Sequence, residues 1–367
     1  MIDRDNIFIV FPYLCLLFMG LVMVASSSVY VSEDIYGAPF HFASRQVIFF
    51  IIGVAAMIIA LSIPSNLLLT LDWIILLGSL ILLIALFVPG VGTEVNGSLR
   101  WIRIGPINIQ PSEVSKLALI IYISGYCVRR LGEINTSLGF FRPLLVLAIF
   151  GLLILSQPDL GSTLVIGALV IAILFFAGIS FSQFILLLSL MGILTVIAIY
   201  FEPYRYLRFI SFTEPFEDFR GAGWQLSNAL LGIGRGEWFG VGLGNSLQKN
   251  LYLPEPHTDF IFAVIVEEFG LIGGLIVILL FAVLIFGIIK TSIKALELGK
   301  LFQGFLVFGA GILIAIQASF NIGVNLGILP TKGLTLPFIS YGGTSLILFM
   351  FLMGVVLRIN FENKTIK

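Results

Sequence analysis

Residues 260–289 read FIFAVIVEEFGLIGGLIVILLFAVLIFGII, a run whose only ionisable side chains are Glu267 and Glu268. A helix needs about 20 apolar residues to cross the hydrocarbon core of a bilayer. This run exceeds that length and is apolar on nearly every face, whereas a helix on a soluble protein keeps a polar side. It therefore predicts a membrane span. Nine more runs have the same character, at 7–27, 46–63, 67–88, 113–128, 141–156, 161–177, 183–201, 302–324 and 337–358. The expected fold is an all-α integral membrane protein, a polytopic bundle of about ten transmembrane helices. The chain is expected to form a single domain over 1–367, with one large extracytoplasmic loop at about 202–259 between spans seven and eight.

Composition agrees. Hydrophobic residues make up 59% of the 367 and charged residues 11%, with a mean hydropathy of +1.11. Soluble domains carry about 25% charged residues, so this chain has too few to clothe a water-exposed surface of its size. Its 20 basic and 20 acidic residues cancel, which gives no support to a nucleic-acid partner. Cys15 and Cys127 both lie in apolar stretches and read as small core residues, not as a disulfide or metal pair. His41 and His257 alone cannot build a histidine-rich metal site. The first apolar run is longer than a signal-peptide core and its leading Met-Ile-Asp-Arg-Asp is not clearly basic, so it reads as the first span. An even number of spans puts both termini on one side. Arg4, Arg129, Arg130, Arg142, Lys290, Lys294, Lys300, Arg358, Lys364 and Lys367 mark that side as cytoplasmic.

The residues suited to chemistry gather where the apolar pattern breaks. Just before the quoted run stands Tyr252-Leu253-Pro254-Glu255-Pro256-His257-Thr258-Asp259. Thr258 or Asp259 can simply cap the helix N-terminus. Alternatively Asp259, a carboxylate partly withdrawn from water at the membrane boundary, is suited to act as a general base. Glu267 and Glu268 lie about two turns further on. Ionisable groups inside a bilayer are costly and face a bundle interior or a wet cavity, unless the helix ends early and both are interfacial.

A second cluster is Gly97-Ser98-Leu99-Arg100-Trp101-Ile102-Arg103, followed by Gln110-Pro111-Ser112-Glu113-Val114-Ser115-Lys116. Ser112 suits a helix N-cap and Glu113 a first turn. Glu113 and Lys116, three apart, suit an ion pair on one helix face. Trp101 suits an interfacial anchor, and Arg100 and Arg103 flank it where they can meet an anionic head group. Gln157-Pro158-Asp159-Leu160 reads as a tight hairpin between two spans. The glycine-rich stretch 232–244 lacks the strand and βαβ unit of a dinucleotide site. It reads as a compact loop, or as a turn whose amides face a phosphate. At 329–345, prolines, glycines and hydroxyls interrupt the last span, and such backbone at membrane depth must be protein-buried or line a cavity. Lys332 there is either a cation for an anionic ligand or a snorkelling lysine.

Taken together and in order, these segments resemble the SEDS family (shape, elongation, division and sporulation). The matching stretches are Gly-Ser-x-Arg-Trp-Ile at 97–102, Gln-Pro-Ser-Glu-x-x-Lys at 110–116, Gln-Pro-Asp-Leu-Gly at 157–161, Gly-Leu-Gly-Asn-Ser-x-Gln-Lys at 242–249, Leu-Pro-Glu-x-His-Thr-Asp-Phe-Ile-Phe-Ala at 253–263 and Leu-Pro-Phe-Ile-Ser-Tyr-Gly-Gly at 336–343. Residues 248–249, 252–255 and 330–337 are most similar to the division branch. Thr344 departs from the usual Ser, Trp224 from a usual Tyr, and Glu237 and Trp238 alter the glycine-rich loop.

The resemblance implies a peptidoglycan glycosyltransferase that polymerises lipid II into β-1,4 glycan strands during septal cell-wall synthesis and releases undecaprenyl diphosphate. It implies Asp259 as the essential carboxylate, Arg100, Trp101, Arg103, Lys249 and Lys332 as substrate-binding residues, and Glu113, Lys116, Asp159, His257, Glu267 and Glu268 in supporting roles. The implied partners are lipid II, the nascent glycan strand, membrane lipid, a class B penicillin-binding protein transpeptidase (FtsI-like) and other division proteins. The implied location is the bacterial cytoplasmic membrane at the septum. No resident cofactor is implied, and a divalent cation (Mg or Mn) is a candidate to assist the diphosphate. The alternative is a lipid II flippase, which would move the lipid without making glycan.

Overall fold

A computed structural model describes residues 4–95, 98–105, 107–219, 221–331 and 333–365. The elements in chain order are α1 (Arg4–Tyr36), α2 (His41–Ser62), α3 (Ser65–Thr70), α4 (Asp72–Ala85), β1 (Gly92–Val95), β2 (Ser98–Ile104), β3 (Ile107–Ile109), α5 (Pro111–Arg129), α6 (Ser137–Leu155), α7 (Leu160–Phe176), α8 (Phe181–Tyr200), α9 (Pro203–Thr213), α10 (Trp224–Gly236), α11 (Ile261–Glu297), α12 (Leu301–Asn325) and α13 (Gly343–Thr365). Among the described residues, seven helices are long and apolar enough to cross a bilayer, and α4 and α7 are shorter apolar helices. The chain is a predominantly helical, multi-pass membrane protein.

Most expected spans lie on a single helix, but 67–88 is divided between α3 and α4, and the connections hold more structure than sequence alone suggested. Segment 89–112 contains an antiparallel sheet of order β1-β2-β3, with Thr93 opposite Trp101 and Arg103 opposite Asn108. The expected loop 202–259 contains two helices, α9 and α10. Pro203 takes the first helical position of α9, where its missing N–H costs nothing. Ser112 is not an N-cap: Gln110 holds that position with Pro111 after it. The last helix starts at Gly343, because the backbone through Pro337–Ser340 is a turn. The run quoted above is not one continuous helix, since Gly270 has φ 72 and ψ −176 within it.

The chain divides into two compact units. The first comprises Met1–Phe50, Leu194–Gly287 and Gln317–Gly342. Here the turn after Leu336 packs on α1, with the Phe338 ring edge-on to Tyr13 at 5.2 Å between centroids. The second comprises Ile51–Ile193, Ile288–Ile316 and Gly343–Lys367. Its centre is α5, buried along most of its length. Asp72 in the first turn of α4 is buried against Arg129 in the last turn of α5 at 2.6 Å, charges that also suit the two helix dipoles.

Candidate functional site

In the first unit, Asp259 closes the irregular segment that leads into α11. It is partly exposed, and three consecutive main-chain carbonyls ending with its own are gripped by residues far away in sequence. The His257 carbonyl accepts the Tyr341 amide at 2.8 Å. The Thr258 carbonyl accepts the Ser340 hydroxyl at 2.6 Å. The Asp259 carbonyl accepts Nδ2 of both Asn321 and Asn325, each at 2.9 Å. Ser340 Oγ also accepts the Leu336 amide at 2.8 Å, which fixes its own turn. The backbone of Gly333 passes close by, so that a Cβ placed there would stand 3.2 Å from Asp259 Oδ2.

These two segments also carry left-handed backbone at residues that are not glycine, at Leu251, Glu255 and Phe338, with φ of 66, 52 and 67. Such conformations persist only where the surroundings over-determine them. His257 is buried, with its ring 4.4 Å from Phe42 and 5.6 Å from Tyr341 between centroids. Burial holds its imidazole below the ordinary range, against an opposing pull from the Glu255 carboxylate.

Glu267 and Glu268 lie on α11, about two turns beyond Asp259. The helix breaks at Gly270, two residues after Glu268, and both side chains are buried inside the protein. Glu267 accepts Arg235 Nη1 at 2.9 Å, the Leu247 amide at 2.9 Å and the Ser246 hydroxyl. Glu268 accepts Lys249 Nζ at 2.7 Å and Ser26 Oγ at 2.8 Å, and the same ammonium donates to Ser26 at 3.0 Å. Lys249 is thus a buried cation held by Glu268, a different setting from the substrate-facing lysine that the motif suggested.

The glycine-rich stretch resolves in the same way. Val241 and Gly242 donate their amides to the carbonyls of Glu267 and Glu268, both at 3.0 Å, so these amides face protein and not a phosphate. Gly240 and Gly270 make this backbone-on-backbone packing possible. Both have positive φ, and a Cβ on either would lie 2.2–2.3 Å from a main-chain oxygen of the other segment.

The second unit holds the other motif residues. On β2, side chains alternate in direction, so Arg100 shares a face with the buried Ile102, and Trp101 and the exposed Arg103 share the opposite one. Arg100 Nε donates to the Gln157 carbonyl at 3.2 Å and its Nη2 donates to that of Pro158. Asp159, next in the same turn, caps α7 through the Ser162 amide at 3.0 Å. Glu113 and Lys116 pair at 2.6 Å, both buried, as their spacing suggested. Thr344 Oγ1 donates to the Asn108 carbonyl at 2.7 Å and accepts the Gln110 amide at 3.2 Å. The hydroxyl that Ser would supply is therefore kept, and it ties the sheet to the start of α13. Lys332 lies outside the described residues.

Sequence reasoning passed over Asn321, Asn325, Ser26 and Arg235. The signal for the first two was present: polar amides four residues apart at the end of an apolar helix, where membrane helices place such groups to bond across the bundle. Among the described residues, no three His, Cys, Asp or Glu side chains gather into a donor set for a metal ion.

Comparison with known proteins identifies the family. The family model for cell cycle proteins (FtsW, RodA and SpoVE) matches residues 6–365. The probable peptidoglycan glycosyltransferase FtsW of Aliivibrio salmonicida is 47% identical over 363 residues, 99% of this chain and 90% of its own length. The corresponding protein of Marinomonas mediterranea is 45% identical, over 98% of this chain and 89% of its own length. Among solved structures, the rod shape determining protein RodA of Thermus thermophilus superposes with a TM-score of 0.72 at 26% identity, covering 97% of this chain and 96% of that one. A chain of a peptidoglycan synthase complex that coordinates polymerisation and crosslinking superposes with a TM-score of 0.77 at 26% identity, covering 96% of this chain and 98% of that one. The chain therefore belongs to the cell cycle protein family of FtsW, RodA and SpoVE.

Proposed function

We propose that this protein is a peptidoglycan glycosyltransferase that polymerises lipid II, with Asp259 as its general base. The observation that carries this reading is the grip on the main chain at 257–259, which holds one partly exposed carboxylate in place at the entry to a membrane helix. Close relatives bear the name peptidoglycan glycosyltransferase.

In the proposed step, the acceptor sugar presents its GlcNAc 4-hydroxyl to Asp259. The carboxylate takes the proton as the oxygen forms a bond to the anomeric carbon of the donor MurNAc. The bond from that carbon to the diphosphate oxygen breaks, and undecaprenyl diphosphate leaves with the electron pair, giving a β-1,4 link by inversion. General base catalysis contributes about 10²- to 10⁴-fold, so positioning and charge stabilisation of the diphosphate must supply the rest. Arg103, exposed beside Trp101, and Lys332, next in sequence to Gly333, are the proposed cations. Arg100 contributes through the 157–158 turn that it holds, and Lys249 by fastening its segment to α11. Lipid tails that stay in the bilayer explain why the reaction belongs on a membrane protein.

The proposed setting is the division septum, with both termini cytoplasmic and a class B penicillin-binding protein as the crosslinking partner. The test is the product: the purified protein with its transpeptidase, given lipid II, should yield glycan strands and free undecaprenyl diphosphate in equal bond count. Transfer of lipid II between leaflets with no polymer would overturn the reading and favour a flippase.

A further inference from the structure

We infer that Asn321 and Asn325 are positioning residues that set the Asp259 carboxylate for proton transfer, an inference that rests on Asp259 being the base. Both side chains are fully buried in α12, where an amide without partners would be costly. Their bonds are specific. In an unbroken helix the Asp259 carbonyl would accept the Ala263 amide, four residues on. Asn325 stands between these two groups: its Oδ1 accepts the Ala263 amide at 3.0 Å and its Nδ2 donates to the Asp259 carbonyl at 2.9 Å. The Ala263 amide is shared with the Phe260 carbonyl at 3.1 Å, and the side-chain bridge spans the place of the missing helical bond, so the Asp259 carbonyl leaves the helix with a hydrogen bond kept.

Asn321 supplies the second brace. Its Nδ2 donates to the Asp259 carbonyl at 2.9 Å and to the Leu334 carbonyl at 2.7 Å. One amide thereby joins the aspartate to the segment that carries Gly333, whose missing side chain leaves the space beside Asp259 Oδ2. Asn325 also donates to the Asn321 carbonyl at 2.8 Å, which locks the pair together. A cap for α11 would need only the bond to Ala263. The additional donors converge on the one residue with a proposed chemical role and on the strand of backbone beside it.

Neither amide is given a contact with substrate, so the loss should fall on kcat and not on KM. A misplacement of about 1 Å costs on the order of 100-fold in a positioned reaction. The experiment uses the full chain with its transpeptidase partner and lipid II. It measures kcat, KM, the pH–rate profile and thermal unfolding for Asn321→Ser, Asn325→Gln and Asp259→Asn. Asn321→Ser is too short to span both carbonyls, and Asn325→Gln keeps the amide but moves it by a methylene. The expected result is a fall in kcat of about tenfold or more with KM within about threefold, and an altered acid limb of the pH–rate profile in folded protein. A wild-type kcat and pH profile per folded molecule in both Asn variants, while Asp259→Asn is inactive, would overturn the positioning role and leave the base intact. Full activity in Asp259→Asn would overturn the base reading, and the positioning role with it. If one Asn variant fails to fold, the other decides between these outcomes.

Discussion

Lys249 Nζ lies 2.7 Å from Glu268 Oε1, and both side chains are buried beside Ser26. The pair fastens the segment before the Asp259 loop to α11. Removing one partner of a buried ion pair leaves an uncompensated charge, which typically costs about 3–5 kcal/mol. Lys249→Met should therefore unfold at a markedly lower temperature in detergent, and so should Glu268→Gln, by a smaller margin. The double variant Lys249→Met/Glu268→Met should recover much of the loss, because no bare charge remains. Additive losses in the double variant would show that the two side chains act independently.

Gly270 and Gly240 meet across the break in α11, each with its backbone against the other's segment. Gly270→Ala adds a Cβ to backbone of positive φ and extended ψ, a region that is essentially glycine-only, and pushes it into a main-chain oxygen; the backbone term alone is about 1–3 kcal/mol. The steric overlap adds to it, since neither oxygen can swing away. The expected outcome is a sharp fall in the yield of monodisperse protein for Gly270→Ala and Gly240→Ala. Gly78→Ala, where a Cβ meets nothing within 4 Å, should behave as wild type. Normal yield from the first two would contradict the close packing.

The buried imidazole of His257 gives a pH dependence with a definite sign. Its ordinary value is 6.5, and burial lowers it in the folded protein. Above that ordinary value the ring is neutral in both states, and its full contribution to stability is present. As pH falls, the unfolded chain takes up a proton that the folded chain resists, so stability is lost until the lowered folded value is reached. Unfolding temperature followed from pH 7.5 downward should drop below about pH 6.5, and His257→Gln should flatten the part due to this ring. An identical pH slope in the variant would remove His257 as the cause.

Much of this molecule is legible in its sequence, for reasons that vary by residue. The spans follow from the length of apolar runs, which the bilayer fixes. The Glu113–Lys116 pair follows from a spacing of three on a helix, which is a local fact. Asp259 stands out because it precedes a long apolar run. The residues that hold its segment do not: Asn321, Asn325, Ser340 and Tyr341 are 62 to 84 positions from the carbonyls they bond at 257–259, and only the folded chain brings them to one backbone. The sheet in 89–112 is hidden for a different reason. Its strands are short and mix Gly, Asn and charged residues, so no clean alternation marks them. The partner of Lys249 is hidden as well, because Glu268 is 19 positions away and only the fold sets it beside the ammonium.

The base assignment for Asp259 is tested most directly by the rate of glycan formation in Asp259→Asn, which keeps the size of the side chain and removes its proton acceptor. The measurement is the initial rate of polymerisation of lipid II by the purified complex with the transpeptidase partner, for variant and wild type of equal thermal stability. The predicted result is loss of at least about 10²-fold in rate with lipid II binding retained. A rate within a few-fold of wild type would contradict the assignment.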